Sequence, residues 1–220
     1  IENKRDGACV RYLELLERNK KTYKAQFVVG NAMLNYKTGE GLKTELDKTI
    51  YNAIIGKGQQ DVSRLGKGVY NSYGIGASGF GISSCQFALH YFFQDKASLM
   101  GFLRNLTENT KLGGYFMGTC YDGTTVYNKL ASYNQGETYA IKKGNNSIVE
   151  ITKEYSMPSF NNDSSCLGYA IDVFEESINK KFREYLVNFG YLTRVLENYG
   201  FVPLSKNEAR LFYVNVGYTL

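Results

Sequence analysis

Between Ile82 and Gly123 the chain reads, in order, ISSCQFAL, KASLMGFLRNLTENTK and GGYFMGTCYDG. The first and third runs are short, apolar and closed by polar or glycine residues, whereas the middle one repeats its apolar positions at helical spacing. Two strands joined through a helix pair in parallel by a right-handed crossover, which commits the chain to the α/β class. Upstream, AQFVVGN (25–31) has the profile of a further buried parallel strand. In open parallel sheets ligands sit beyond the carboxyl ends of the strands. That rule gathers Gly30, Asn31, Gln86 to Tyr91, and Thr119 to Asp122 on one rim. The rim holds the chain's single histidine, His90, followed at once by three aromatics, in a sequence without tryptophan.

Residues 3–18 carry Ala8, Cys9, Tyr12, Leu13, Leu15 and Leu16 at helical spacing, and LKTELDKTIYNAII (42–55) returns to the same period. The glycines and small polar residues of 56–81 predict a long mobile loop. None of those glycines follows a strand and opens a helix, so a phosphate cradle is not favoured there. The last third alternates strand-like SIVEITKEY and LGYAIDVF with helical YLTRVLENYG and a final apolar RLFYVNVGYTL. These runs read as antiparallel additions to one edge and one face of the sheet. At 220 residues a single domain over 1–220 is expected, and because the sequence opens at Ile1 it reads as incomplete at its amino terminus.

Composition narrows the chemistry only a little. A formal charge of +5 suits a polyanionic partner without naming one. Cys9, Cys85, Cys120 and Cys166 show no Cys-x-x-Cys spacing and no histidine cluster, which favours reduced thiols over a metal site or a disulfide framework. No apolar run reaches the roughly 18 residues of a membrane span, and no signal-peptide pattern is present.

Several runs together are more specific. SCQFALHYFF, then LRN (103–105), then GGYFMGT (113–119), resemble the mRNA cap guanine-N7 methyltransferases; REYLVNF (183–189) resembles the cap-facing segment of that family, and DGACVRYL (6–13) its forms in large DNA viruses. The resemblance implies a class I, Rossmann-like fold that uses S-adenosylmethionine, here lacking its first strand–helix–strand and carrying antiparallel cap-facing additions. It implies methyl transfer to N7 of the guanine cap at the 5′ end of mRNA. The partners it implies are a capped RNA and a fused or associated guanylyltransferase or triphosphatase module, with no membrane. It places the chain inside the cell, in a cytoplasmic replication compartment for a viral member and in the nucleus for a cellular one.

N7 of guanine already carries an unshared pair, so the reaction needs placement and electrostatics rather than a nucleophile or a catalytic dyad. By the family pattern, no residue is catalytic in the narrow sense and no metal is expected. His90 would bond the guanine edge and Tyr91 would pack beside it. Glu184 would accept from the adjacent N1 and N2 donors, which distinguish guanine from adenine. Tyr213 is taken as the carboxyl-terminal cap tyrosine, with Tyr218 as the alternative. Cofactor contacts fall on Asn31, Ala32, Gln86 and Phe87. The family's glycine turn and ribose-binding acid are not matched. Competing readings are a methyltransferase acting on another base or a small molecule, and a noncatalytic cap-binding or RNA-binding remnant or subunit of a capping complex. For single residues the alternatives are a turn asparagine at Asn31, core packing for His90 and Tyr91, and a solvated helix charge for Glu184.

Overall fold

The computed structural model describes residues 7–19 and 24–215, with side chains as far as Leu211. It divides into two compact units, Ile1–Thr119 and Cys120–Leu220.

The first unit contains α1 (Ala8–Asn19), α2 (Glu45–Ile54), α3 (Val62–Tyr70), β1 (Phe80–Gln86), a 3-10 turn (Leu89–Gln94), α4 (Lys96–Asn109) and β2 (Thr110–Thr119). Strands β1 and β2 pair in parallel, from Ile82 opposite Tyr115 to Gln86 opposite Thr119. The crossover between them is α4, as the strand–helix–strand reading predicts. Helix α4 begins where the Asp95 side chain accepts from the Ser98 backbone N–H at 2.8 Å. It buries Leu99, Phe102, Leu103 and Leu106, and Phe102 stacks on Phe92 with ring centroids 4.1 Å apart.

Two sequence expectations fail in this unit. The run 25–31 is not a parallel strand; among the described residues its one ladder contact is an antiparallel bridge from Gly30 to Leu42. A strand exists only through its neighbours, and here the backbone is tied to the start of α2 instead. The Val29 N–H donates to Asp47 Oδ1 at 2.8 Å, and the Val29 carbonyl accepts from Lys43. Nor is 56–81 a featureless loop. Asp61 caps α3, and glycine at 66, with φ of 72°, breaks that helix.

The second unit contains α5 (Gly123–Lys129), β3 (Thr138–Lys143), β4 (Asn146–Lys153), β5 (Ala170–Glu175), β6 (Lys180–Tyr185), α6 (Phe189–Asn198) and α7 (Lys206–Asn215). The four strands form one antiparallel sheet in the order β3-β4-β5-β6. Its inner face packs Ile151, Ile171 and Val173 against Leu130, Tyr155, Tyr169 and Leu186. On the opposite face Arg183 forks onto Asp172 and lies 3.6 Å from Glu154. The last third is therefore antiparallel, as expected, but its strands form a sheet of their own and do not extend an edge of the β1–β2 sheet, and much of RLFYVNVGYTL is helical, in α7.

Candidate functional site

In the first unit a hollow of about 640 Å³ opens beside the carboxyl end of β1. Val28, Ile50, Ile54 and Phe92 give it apolar walls, and Ser84 and Gln86 supply polar groups. Its size and mixture are those of a small-molecule pocket.

Gln86 is fixed from both sides. Its Nε2 donates to Ser84 Oγ at 2.9 Å, and its Oε1 accepts from Thr119 Oγ1 at 2.8 Å, so the last residue of β2 orients the last residue of β1. Phe87 follows with φ of 50°, an uncommon conformation for a side chain of its size, while its N–H bonds Thr119 and its ring is 72% exposed. Backbone held in such a region concentrates at functional sites.

Of the cofactor residues expected from the sequence, Ala32 and Gln86 line the hollow; Asn31 and Phe87 are not among its lining residues. The Asn31 carbonyl oxygen Oδ1 accepts from Met33 N–H at 3.0 Å, so this side chain serves the turn it begins.

The segment around Ala32 owes its position to Asn105, a buried amide on α4. Asn105 Nδ2 donates to the carbonyls of Ala32 at 2.9 Å and Leu34 at 2.6 Å, while Oδ1 accepts from Tyr36 N–H at 2.9 Å. All three bonds hold backbone. The LRN run contained this residue, but nothing in periodicity marks an asparagine on a helix as the anchor of a loop some 70 positions away.

Asp47 performs a similar service for the extended segment on the other wall. Besides Val29 N–H, it accepts from Thr44 N–H at 3.0 Å and Thr44 Oγ1 at 2.6 Å, closing a capping box. Hydrogen bonds from Thr44 and Val29 hold its carboxyl below the usual carboxylate range. Asp47→Ala is expected to destabilise the first unit by about 1–3 kcal/mol, the sum of a lost cap and an orphaned Val29 donor. Chemical denaturation of the variant beside the parent checks this.

His90 lies in the 3-10 turn after β1 and is 6% exposed. Its ring meets Tyr91 edge-on at 4.3 Å. Burial pushes its pKa down to about 4, so the imidazole is neutral at physiological pH, with one nitrogen to donate and the other to accept. Tyr91 is 36% exposed, unlike Phe92 and Phe93, which are core.

In the second unit Glu184 sits on β6, opposite Ile171 of β5. It is not a solvated helix charge: it is half-buried, in a strand, and faces inward with Ile171, while Lys181 and Arg183 face outward. Burial first, and the neighbouring Glu175 second, raise its pKa to about 7. Tyr213 belongs to α7, but its side chain lies outside the described residues, as does all of Tyr218.

Among the described residues no helix is long and apolar enough to cross a membrane. Residues 7–216 match the family model of the mRNA (guanine-N(7))-methyltransferase domain. The chain is 33% identical over 152 residues to a probable mRNA-capping enzyme of Acanthamoeba polyphaga mimivirus, covering 67% of this chain and 12% of that protein. It is also similar to the mRNA cap guanine-N(7) methyltransferases of Saccharomyces cerevisiae, at 28% identity over 60% of this chain and 30% of the relative, and of Caenorhabditis briggsae, at 37% over 34% and 18%. The chain thus spans less than a third of the length of each of these relatives. With the family match running through both compact units, the chain belongs to the mRNA (guanine-N7)-methyltransferase family.

Proposed function

We propose that this chain supplies cofactor-binding and guanine-binding groups of an enzyme that methylates N7 of the mRNA cap, and that 1–220 works as one, partial, methyltransferase domain. The observation that carries the reading is Glu184. A half-buried strand carboxylate opposite Ile171 of the apolar cluster, with one oxygen buried, suits the two adjacent N–H donors of a guanine edge better than any single-donor base. The family match across both units supports treating them as one functional domain.

S-adenosylmethionine, when bound, supplies the electrophilic methyl. The hollow of the first unit fits the purine and thioether portions of that molecule: apolar walls, a backbone held open at Ala32, and the oriented amide of Gln86. Among the described residues no aspartate or glutamate lines it, and of those residues none offers the ribose hydroxyls a carboxylate. On this reading the isolated chain binds the cofactor weakly.

His90 acts as a neutral recognition group, kept in that state by burial, and Tyr91 offers a partly exposed aromatic surface to the base. Tyr213 and the contacts of Asn31 and Phe87 with cofactor remain part of the proposal on the strength of the family pattern. The polyanionic partner is a capped 5′ end. The name of the mimivirus relative supports a guanylyltransferase or triphosphatase module working in the same polypeptide or complex, and an intracellular setting.

The function is tested by offering the protein that carries this chain RNA capped with GpppG or ApppG together with labelled S-adenosylmethionine. Label at N7 of the GpppG cap is expected; equal labelling of both, or of neither, overturns the reading. His90→Ala should then lower transfer at least tenfold while cofactor affinity stays within about twofold, since Gln86 is held by Ser84 and Thr119 and not by His90. A packing role would instead lower the melting temperature and weaken both ligands together.

A further inference from the structure

The amide of Gln86 has two ends, and the fold treats them differently. Parallel pairing sets Gln86 opposite Thr119, but only because the register of β1 and β2 shifts between Phe80 and Ile82. With the register that starts at Phe80 and Thr110, Gln86 would face Phe116. Gly113, with φ of 74°, lies in the stretch of β2 that takes up the shift, a backbone conformation that glycine adopts freely. Ser84, two residues before Gln86 on the same strand, points to the same face. The two side chains that hold the amide therefore come from different strands. Ser84 lines the hollow, whereas Thr119 is not among its lining residues.

The Thr119 hydroxyl is itself aimed. Its oxygen accepts from the Phe87 N–H at 3.2 Å, and its proton goes to Gln86 Oε1 at 2.8 Å. The amide oxygen is in this way turned toward β2, and the amino group toward Ser84, a wall of the hollow. Of the two Nε2 protons one goes to Ser84 Oγ at 2.9 Å; the other has no partner among the described residues and is left for a ligand. A bland alternative is that Thr119 merely ends the strand pair. Yet the backbone already does so: the Phe87 N–H also donates to the Thr119 carbonyl, at 2.9 Å, and continues the ladder without the hydroxyl. Strand closure gives no reason for a hydroxyl shared between the left-handed Phe87 and the Gln86 amide.

We infer that Thr119 is a positioning residue of the cofactor site: its hydroxyl holds Gln86 with an amide N–H toward the hollow, so that this wall selects a ligand tail ending in a carboxylate. This rests on the reading of Gln86 as a cofactor contact. S-adenosylmethionine and its demethylated product carry both a carboxylate and an ammonium at that end. An amide held the other way round would present its oxygen and suit the ammonium. Fixing the amide beforehand removes that choice and spares the bound state part of the cost of ordering a flexible side chain. Ser84, Gln86 and Thr119 are all exposed to solvent, so the effect is that of one ordinary hydrogen bond and not of a buried one.

The measurement is binding of S-adenosylhomocysteine and of its decarboxylated analogue, which keeps the ammonium, to the protein that carries this chain. Isothermal titration calorimetry reads the affinities, with the melting temperature taken beside them. The variants are T119V, which keeps the shape of the side chain and deletes the hydroxyl, T119S, which keeps the hydroxyl, and Q86A. T119V is expected to weaken S-adenosylhomocysteine about three- to tenfold and to leave the decarboxylated analogue within about twofold of the parent. T119S should bind both ligands as the parent does, a rescue that packing at this position would not require. T119A takes the place of T119V, with the same expectation, should the valine variant fail to fold. A folded variant without the hydroxyl that keeps the parent's preference, or that weakens both ligands alike, overturns the inference and returns Thr119 to strand pairing. So does a T119S protein as impaired as T119V. If Q86A also leaves the preference intact, the reading of Gln86 as a cofactor contact itself fails; if Q86A abolishes it while T119V is silent, only the role of Thr119 falls.

Discussion

Glu184→Gln in the protein that carries this chain is expected to cut N7 transfer to GpppG-capped RNA by roughly 10- to 100-fold, about 1–3 kcal/mol of lost acceptor strength toward two buried donors. Glutamine keeps the shape of the side chain, so packing survives, but its amide places N–H groups where guanine also offers N–H. The same clash has a pH-dependent form in the parent. With the carboxyl raised to about 7, acid conditions protonate Glu184 and put a donor in the acceptor's place. Activity should therefore decline on the acid side with an apparent midpoint near 7, and that limb should vanish in the glutamine variant. Stability runs the other way. A carboxyl whose folded pKa lies above its ordinary 4.5 favours the folded state when protonated, and that contribution is lost as pH rises from 4.5 through about 7. Glu184→Gln should accordingly gain stability relative to the parent at pH 8 compared with pH 5. His90 has the opposite sign: its pKa is depressed to about 4, so its penalty grows as pH falls below 6.5. Between these limits the two slopes oppose each other, and the E184Q melting curve should rise more steeply from pH 5 to 6.5 than that of the parent. An acid limb that persists in E184Q, or melting curves that stay parallel, would dissociate Glu184 from both effects.

The parts of this molecule that sequence made legible are those fixed by local pattern. ISSCQFAL, the helix after Asp95 and GGYFMGT are separately periodic and separately capped, and they assemble as β1, α4 and β2 in the parallel order their sequence demands. The parts that misled depend on partners. AQFVVGN is apolar enough for a buried strand, but its Val29 amide is claimed by Asp47, a residue whose other duty, capping α2, is the one that pattern would reveal. Likewise the glycines of 56–81 concealed the Asp61 cap that starts α3. Of the residues that the family pattern proposes, Gln86 is found at the end of β1, His90 buried in the turn that follows, and Glu184 half-buried on β6; their roles stay part of the proposal. The bond from the Tyr121 hydroxyl to Glu175 had no sequence signal at all, since the two residues lie 54 positions apart and meet only in the folded second unit. Asn105 shows the intermediate case, a residue visible inside a motif whose task, holding the Ala32–Tyr36 backbone, needs coordinates to see.

Gly101→Ala is expected to destabilise the first unit by about 3–5 kcal/mol and to lower cofactor affinity with it. Intrinsic propensity argues for the opposite sign, since alanine in a helix interior is favoured over glycine by about 1 kcal/mol. Geometry decides against propensity. A Cβ at position 101 would lie 1.8 Å from the Met33 carbonyl oxygen and 2.6 Å from its carbon, and neither is the yielding end of a side chain. Helix and loop would have to separate. Asn105, one turn further along the same face of α4, holds that loop by three hydrogen bonds to Ala32, Leu34 and Tyr36, so any separation breaks them as well. Each bond left unmade strands a partly buried group at about 1 kcal/mol or more, which sets the scale given above. Because Ala32 lines the hollow, the displacement should reach ligand binding too, unlike that of a surface variant such as Lys96→Ala. Denaturant unfolding of Gly101→Ala, Asn105→Ala and the double variant measures the coupling: the two losses should be strongly less than additive, since both release the same loop. A Gly101→Ala protein as stable as the parent would show that the backbone at Met33 does not rest on α4, and with it that the wall of the hollow at Ala32 is not held as described.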